Sequence, residues 1–474
     1  MIDTGVLRNK VLALAFQGKL TEQTDENAHE LFIRVCEERD SLIKQKVIKK
    51  NKTKDITNED LKFTIPSNWI WVRLGDVINL QSGQDLTTSD YNDQVAGVPY
   101  ITGASNFRTD ESLIINRWTE TPKAIALEND ILLSVKGTVG KLAFLYEEKV
   151  HIARQIMGIR PIGLNRKYVK FFVQEQVEEL KAISKGLIPG IERDNVLNML
   201  MPMPPLSEQE LIVEQIEEAF AKLNVIDELQ QRYSSDIEVL KSKIIDAGIQ
   251  GKLTEQLPED GTAEELLEQI TEEKNQLIKE KKIKKEKSLE EISKEEIPFE
   301  IPDNWKWVRL ADVCSKISSG NTPAGGSKGG AYVTEGYCFF REQNIYNDGI
   351  HYDGMVYITE ELLATRENST VLPQDILLNI TGGSIGRCAL IPDDFSKGSI
   401  NQHILIIRVI NPDTRQFIHN CLCSPYYKKI IMGNVVGDKD GFSAGRCKNT
   451  LIPLPPISEQ KRIVNRISQI YEQI

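Results

Sequence analysis

Two groups of polar side chains lie beside glycines or at the ends of apolar runs, where backbone can come close to a ligand. The first group is Thr102, Ser105, Asn106, Lys136, Thr138, Lys141, Arg154 and Gln155. The second is Thr322, Lys328, Arg341, Gln343, Asn344, Ser384, Arg387, Asn401, Gln402, Lys439 and Arg446. Their shared chemistry is directional hydrogen bonding to flat polar edges. In a DNA major groove, Arg or Lys suits guanine and Asn or Gln suits adenine. Each residue also has a plainer reading, as a solvated side chain or a loop-fixing hydrogen bond. Lys136-Gly137-Thr138 and Arg341-Glu342-Gln343-Asn344 rise above it, because they set donors against a glycine or a strand end. The paired glycines read as turn formers rather than contacts.

Catalytic chemistry has little to stand on. No acid, base or metal cluster recurs in both halves of the chain. There is no Asn-Pro-Pro-[Tyr/Phe] amino-methylation signature and no Gly-x4-Gly-Lys-[Ser/Thr] phosphate loop. The seven cysteines form an odd set without a Cys-x-x-Cys pair, which points to a reduced, cytoplasmic chain lacking a zinc site. Cys421-Leu422-Cys423 near His419 is a weak metal cue, set against ordinary buried thiols. Gly325 to Gly330 lacks phosphate-loop spacing and reads as a mobile loop. Asp438-Lys439-Asp440-Gly441 does not complete a calcium loop. Neither a signal peptide nor a membrane span is expected, since no apolar run is long enough.

The elements that would position these residues occur twice. Ile65-Pro66-Ser67-Asn68-Trp69-Ile70-Trp71-Val72-Arg73-Leu74 returns as Ile301-Pro302-Asp303-Asn304-Trp305-Lys306-Trp307-Val308-Arg309-Leu310. Asp130-Ile131-Leu132-Leu133 returns at Asp375, Pro204-Pro205-Leu206-Ser207-Glu208-Gln209 at Pro455, and Gln17-Gly18-Lys19-Leu20-Thr21-Glu22-Gln23 at Gln250. The offset grows from 233 at Gly18 to 251 at Ser207. Such a period marks a duplicated domain rather than a solenoid. The C-terminal stretch from Ser458 matches the one from Ser207, and the stretch from Met1 matches the one from Ser234, so the repeat is cyclic.

Ser207-Glu208-Gln209-Glu210 reads as a capping box after two prolines. Beyond it a heptad seam runs through Ile212, Ile216, Leu223, Ile226, Tyr233, Ile237, Leu240 and Ile244, with a polar break at Gln230. The seam returns at Ile463, Ile467 and Ile470, and continues at Leu7 and Val11. The chain ends are therefore expected to pair antiparallel with the central helix. Second helices are expected from Ala28 to Lys50 and from Thr262 to Lys287, each ending in a lysine run.

These spacings divide the chain into an N-terminal helical segment (1–64), a globular unit (65–205), a coiled-coil spacer (206–297), a second globular unit (298–456) and a C-terminal helix (457–474). The fold class is α+β: two similar α/β units joined by long antiparallel coiled-coil helices in a pseudo-two-fold cyclic repeat. The formal net charge of −11 lies in the spacer, which carries 24 acidic against 13 basic side chains. An acidic rod is a poor DNA surface and a plausible surface for a protein partner.

The paired entries, the paired exits and the Gly-Lys-Leu segments, in this cyclic order over the whole chain, resemble the specificity subunit of type I restriction–modification systems. The resemblance implies a non-catalytic, sequence-specific subunit with two target-recognition domains. Each would read one half of a bipartite double-stranded DNA site. The helices would serve as spacer and as dock for two DNA methyltransferase subunits, with a restriction and translocation subunit joining. S-adenosylmethionine and ATP would bind those partners and not this chain. The competing reading is a coiled-coil scaffold carrying two protein-binding modules. If the spacer is a ruler, deleting one heptad, Leu223 to Leu229, shortens the unspecified gap or abolishes assembly without changing the bases read. Mapping methylated positions for the deletion tests this, and an active mutant with an unchanged gap would refute it.

Overall fold

The computed structural model describes every residue except 184–189, 288, 324–329 and 434–441. The chain divides into two compact units, Met1–Arg232 and Tyr233–Ile474. The division falls inside one long helix, Leu206–Ile249.

In the first unit, an entry strand Ile70–Arg73 pairs antiparallel with an exit strand Leu200–Met203, which closes the globular part. Between them lie two four-stranded sheets. One has the order Ile78–Ser82, Ile156–Pro161, Ile131–Ser134, Leu142–Phe144 and is antiparallel throughout. The other has the order Trp118–Thr119, Val98–Ile101, Lys149–Ile152, Ile125–Leu127, with its central pair parallel. The second unit repeats this plan. Its entry strand Lys306–Arg309 pairs with Leu451–Leu454, and its two sheets keep the same strand order. It adds a hairpin of Ile345–Tyr346 and Gly349–Ile350, part of the extra length in its sequence.

The shared Asp-Ile-Leu-Leu strands bury their acid. Asp130 is held by Arg160 through two bonds of 2.6 and 2.8 Å. Asp375 is held by Arg408 through two of 2.7 Å. A buried carboxylate tolerates its loss of water only when paired and hydrogen-bonded. Each pair therefore locks the register of two neighbouring strands in the same sheet.

The expected capping box does not form. The long helix starts one residue earlier, and the Ser207 hydroxyl is buried without a hydrogen-bond partner among the described residues. Pro204-Pro205 hold the chain until the Pro205 carbonyl accepts from the Gln209 amide at 3.0 Å, so Ser207 falls within the first turn. The motif serves another purpose. Glu208, fully buried, accepts from Trp69 Nε1 at 2.5 Å, Asn68 Nδ2 at 2.6 Å and the Thr24 amide at 2.7 Å. The first turn of a helix favours a negative charge. Glu459 repeats the knot with Trp305 Nε1 at 2.8 Å and Gln256 Nε2 at 2.9 Å. The Gly-Lys-Leu turns complete it. Gly18 and Gly251 have φ of +68° and +69°, and a Cβ there would lie 2.3 and 2.4 Å from the entry prolines Pro66 and Pro302. Only glycine suits both the conformation and the space.

Each chain end runs antiparallel to the long helix within its own unit. Gln230, the polar break, brackets the Ile2 backbone, and Arg8 reaches Asn224 and Asp227 at 2.7 and 2.8 Å. In the second unit, Ile463 and Ile467 pack where Gly248 leaves room, and the Tyr471 hydroxyl donates to the Lys241 carbonyl at 3.0 Å. The seam is buried at Ile212, Ile216, Leu223, Ile244, Ile463 and Ile467, and half-buried at Ile226, Ile237 and Ile470. It fails at Tyr233 and Leu240, which are 60% and 43% exposed. The end helices Thr4–Phe16 and Ile457–Tyr471 have 13 and 15 residues, about 20 Å each. Each covers only part of the long helix within its own unit, and Val225, Leu229, Tyr233, Val239 and Leu240 stay exposed among the described residues.

The second helices are shorter than expected, Ala28–Lys44 and Ala263–Lys279. Lys46 and Lys281 follow at φ of 58° and 57°, a left-handed stop that places the rest of each lysine run beyond the helix. No helix among the described residues is long and apolar enough to cross a membrane.

Replacing Trp69 by Phe keeps the ring and removes one donor from the buried Glu208 carboxylate. We expect this to destabilise the first unit by about 1–3 kcal/mol, and Trp305→Phe to do the same to the second. Urea unfolding followed by circular dichroism measures both, and unchanged midpoints would show that the knot contributes nothing to stability.

Candidate nucleic-acid interface

In the first unit, strand Ile131–Ser134 ends on a side chain that builds the following turn. The Ser134 hydroxyl donates to the Thr138 carbonyl and accepts from the Lys141 amide, both at 2.8 Å. Gly137 and Gly140 take φ of +74° and +90° there, leaving Lys136 and Thr138 exposed. The Lys141 ammonium donates to the carbonyls of Ala104 and Phe107 at 3.1 and 3.2 Å, tying this turn to a second loop. A third loop joins through the Gln155 carbonyl, which accepts from the Val135 amide at 2.8 Å. A fourth joins through Arg154, whose guanidinium lies 2.7 Å from Asp85. Gly83 passes so near the third loop that a Cβ would lie 2.0 Å from the Ala153 carbonyl oxygen. Four loops thus form one bonded patch, with Ser105, Lys136, Thr138, Arg154 and Gln155 exposed on it.

The second unit builds its patch with different residues. Asn379 ends the matching strand and donates to the Glu342 carbonyl at 2.8 Å and to the Ser384 hydroxyl at 3.1 Å. The Arg387 guanidinium lies 4.4 Å over the Tyr346 ring, which stacks on His351 at 4.0 Å. Arg341 donates to the Gly354 carbonyl at 2.5 Å. Thr322 hydrogen-bonds Gln402, and His403 sits between Gln402 at 3.0 Å and Thr381 at 2.6 Å. Gly320 repeats the close approach of Gly83, here 2.2 Å to the Ile400 carbonyl oxygen. Gln343 and Gln402 are exposed, and Ser384 and Arg387 half-buried.

Three candidates are corrected. Asn106 accepts from the Thr102 amide and hydroxyl, both at 3.0 Å, and donates to the Ile114 carbonyl at 2.7 Å. Asn344 accepts from the Arg341 amide at 3.1 Å and donates to the His351 carbonyl at 3.0 Å. Asn401 donates to the Glu342 carboxylate at 2.8 Å and accepts from the His403 amide at 3.0 Å. All three are buried. A buried amide must satisfy its polar atoms locally, so these hold loops and cannot reach a base edge at the same time. Thr102 is likewise engaged within its loop, and Lys141 with the neighbouring one. Arg446 lies apart, in a groove with Glu296, Tyr426 and Asn449. Lys328 and Lys439, with most of the Gly325–Gly330 loop and Asp438 to Gly441, lie outside the described residues. Sequence reasoning passed over Thr381 and His403. The recurrence of Asn at 106 and 344 was the available signal, since a residue kept in two diverged units marks framework.

Two copies of one α/β unit, each carrying a polar loop patch and an antiparallel helical segment, define a duplicated recognition chain. A family described as the type I restriction modification DNA specificity domain matches residues 66–232 and 302–474. The chain belongs to this family and carries two of its domains. It is similar to the Type I restriction enzyme EcoAI specificity subunit of Escherichia coli, at 26% identity over 98% of this chain and 88% of that one. It is also similar to the EcoEI specificity subunit of Escherichia coli, at 25% over 98% and 89%. A solved chain from work on complex assembly and conformational transition of the type I R-M system shares the fold, with TM-score 0.58 and 17% identity over 87% of this chain and 92% of that one. The chain is therefore a DNA specificity subunit with two target-recognition domains, and the scaffold alternative falls away.

Asn106→Ala or Asn344→Ala should cost about 1–3 kcal/mol of stability in the unit concerned. Lys136→Ala should leave stability within about 0.5 kcal/mol and weaken DNA binding, lowering its log–log salt slope by about 1. Unfolding curves and a salt titration of binding separate the two classes, and a destabilised Lys136→Ala protein would reverse the assignment.

Proposed function

We propose that each loop patch reads one half of a bipartite double-stranded DNA site, and that the helices dock two methyltransferase subunits. A restriction and translocation subunit joins that assembly, and S-adenosylmethionine and ATP bind to the partners. One observation carries the reading. A common framework builds both patches, yet the side chains presented differ. Ser105, Lys136, Thr138, Arg154 and Gln155 in the first unit correspond to Gln343, Gly382, Ser384, Gln402 and His403 in the second. Donors and acceptors of such different reach and charge select different bases. The two half-sites therefore differ in sequence.

Exposed apolar side chains on the long helix support docking. Val225, Leu229, Tyr233, Val239 and Leu240 are all more than two-fifths exposed. Apolar side chains grouped on one element mark a protein contact more often than isolated ones do. The acidic rod contributes less than its composition suggests, because Glu217 and Glu218 are answered by Lys167 and Lys222 at 2.6 and 2.7 Å.

Exchanging the segments Ile65–Pro205 and Ile301–Pro456 tests the assignment, since the joints flank the paired entry and exit strands. The exchanged chain, expressed with its methyltransferase, should methylate the two half-sites in reversed order at the original spacing. Methylation in the original order by a folded, active chain would show that the globular units do not each specify a half-site.

A further inference from the structure

The second unit brings together three side chains that the DNA-reading patch does not use. Cys388 begins strand Cys388–Leu390, and His419 and Cys423 lie one turn apart on helix Arg415–Cys423. Their ligand atoms all fall within 4.8 Å of one another, and all three residues are buried. His419 Nε2 is 3.4 Å from Cys423 Sγ and 3.0 Å from the Cys388 carbonyl oxygen. Atoms sharing a tetrahedral zinc, at about 2.0 Å for nitrogen and 2.3 Å for sulfur, stand about 3.5–3.8 Å apart. The cluster needs only a small contraction to meet that geometry.

The fold itself does not demand these residues. At the matching positions the first unit has Leu142, Lys170 and Gln174, and its helix packs on its sheet without them. An approach path exists as well. His419 and Cys423 line a groove of about 640 Å³ with Glu238, Asp348 and Tyr471, and Cys388 is not part of its lining.

We propose that Cys388, His419 and Cys423 form a binding site for a thiophilic divalent cation of the zinc class, with water as fourth ligand. Two thiolates and a neutral imidazole give a neutral site with the metal, which suits its burial. Binding releases the two thiol protons to solvent, and no oxidant or reductant is involved. The ion clamps the helix to the strand that follows Arg387. This inference stands independently of the DNA-reading proposal.

The test uses the full chain loaded with Zn²⁺ under reductant and then passed over a chelating resin. Elemental analysis should find about one zinc per chain, as expected for a single tetrahedral site. Cys388→Ser, His419→Ala and Cys423→Ser should each weaken retention by at least about tenfold. Cys447→Ser, a buried thiol of the same unit outside the cluster, should retain the metal. Cobalt(II) substitution of the unaltered chain should give thiolate-to-metal charge-transfer absorption, a readout that survives any failure of a variant to fold. Absence of bound zinc and of that absorption would overturn the proposal. So would zinc retained in all three variants, or a Cys388–Cys423 disulfide in the chain purified under reductant.

Discussion

A buried carboxylate at a helix start holds each half of this protein together. Glu208 and Glu459 occupy the first turns of Leu206–Ile249 and Ile457–Tyr471, away from water, and each takes an indole N–H from the entry Trp. A charge in that position is tolerable only if every donor arrives together. Entry segment, exit segment and Gly-Lys-Leu turn must therefore meet at one point before any of them is satisfied. That requirement explains why three short motifs, distant in sequence, recur as a set. It also fixes where each globular unit joins its helices, and so which loops stand free of the framework.

The framework and the recognition surface then obey different rules. Framework residues recur with their partners: Asp130 with Arg160 and Asp375 with Arg408, Arg73 with Asp60 and Arg309 with Glu296. Surface residues need only emerge from loops whose backbones are already fixed. Ser134 and Asn379 pin equivalent turns with different chemistry, a hydroxyl in one and an amide in the other. Such a division lets exposed donors change without cost to folding, which is what a chain that must recognise different sequences with one architecture requires.

The helical segment follows a third rule. Its seam is apolar apart from the break at Gln230, yet only part of it is covered among the described residues. Tyr233 and Leu240 keep the heptad spacing and still face solvent. Hydrophobic periodicity records that a face is meant to be covered. It does not say whether the cover comes from the same chain.

Local patterns in the sequence determined the duplication, its cyclic order, the α+β class, the strand-forming entries and exits and the antiparallel pairing of the chain ends. Each of these rests on short-range repetition or on an apolar period, and both are visible without coordinates. Tertiary structure decided what depends on partners far apart in the chain. Ser207-Glu208-Gln209 reads locally as a cap, but Trp69 and Thr24 turn Glu208 into an anchor. Asn106, Asn344 and Asn401 read as free amides, but carbonyls and amides folded against them consume their hydrogen bonds. Cys388 gave no cue beside His419 and Cys423, because strand and helix meet only in the folded unit. A side chain's type sets what it can bond, and only the packed chain sets which of those bonds are already taken.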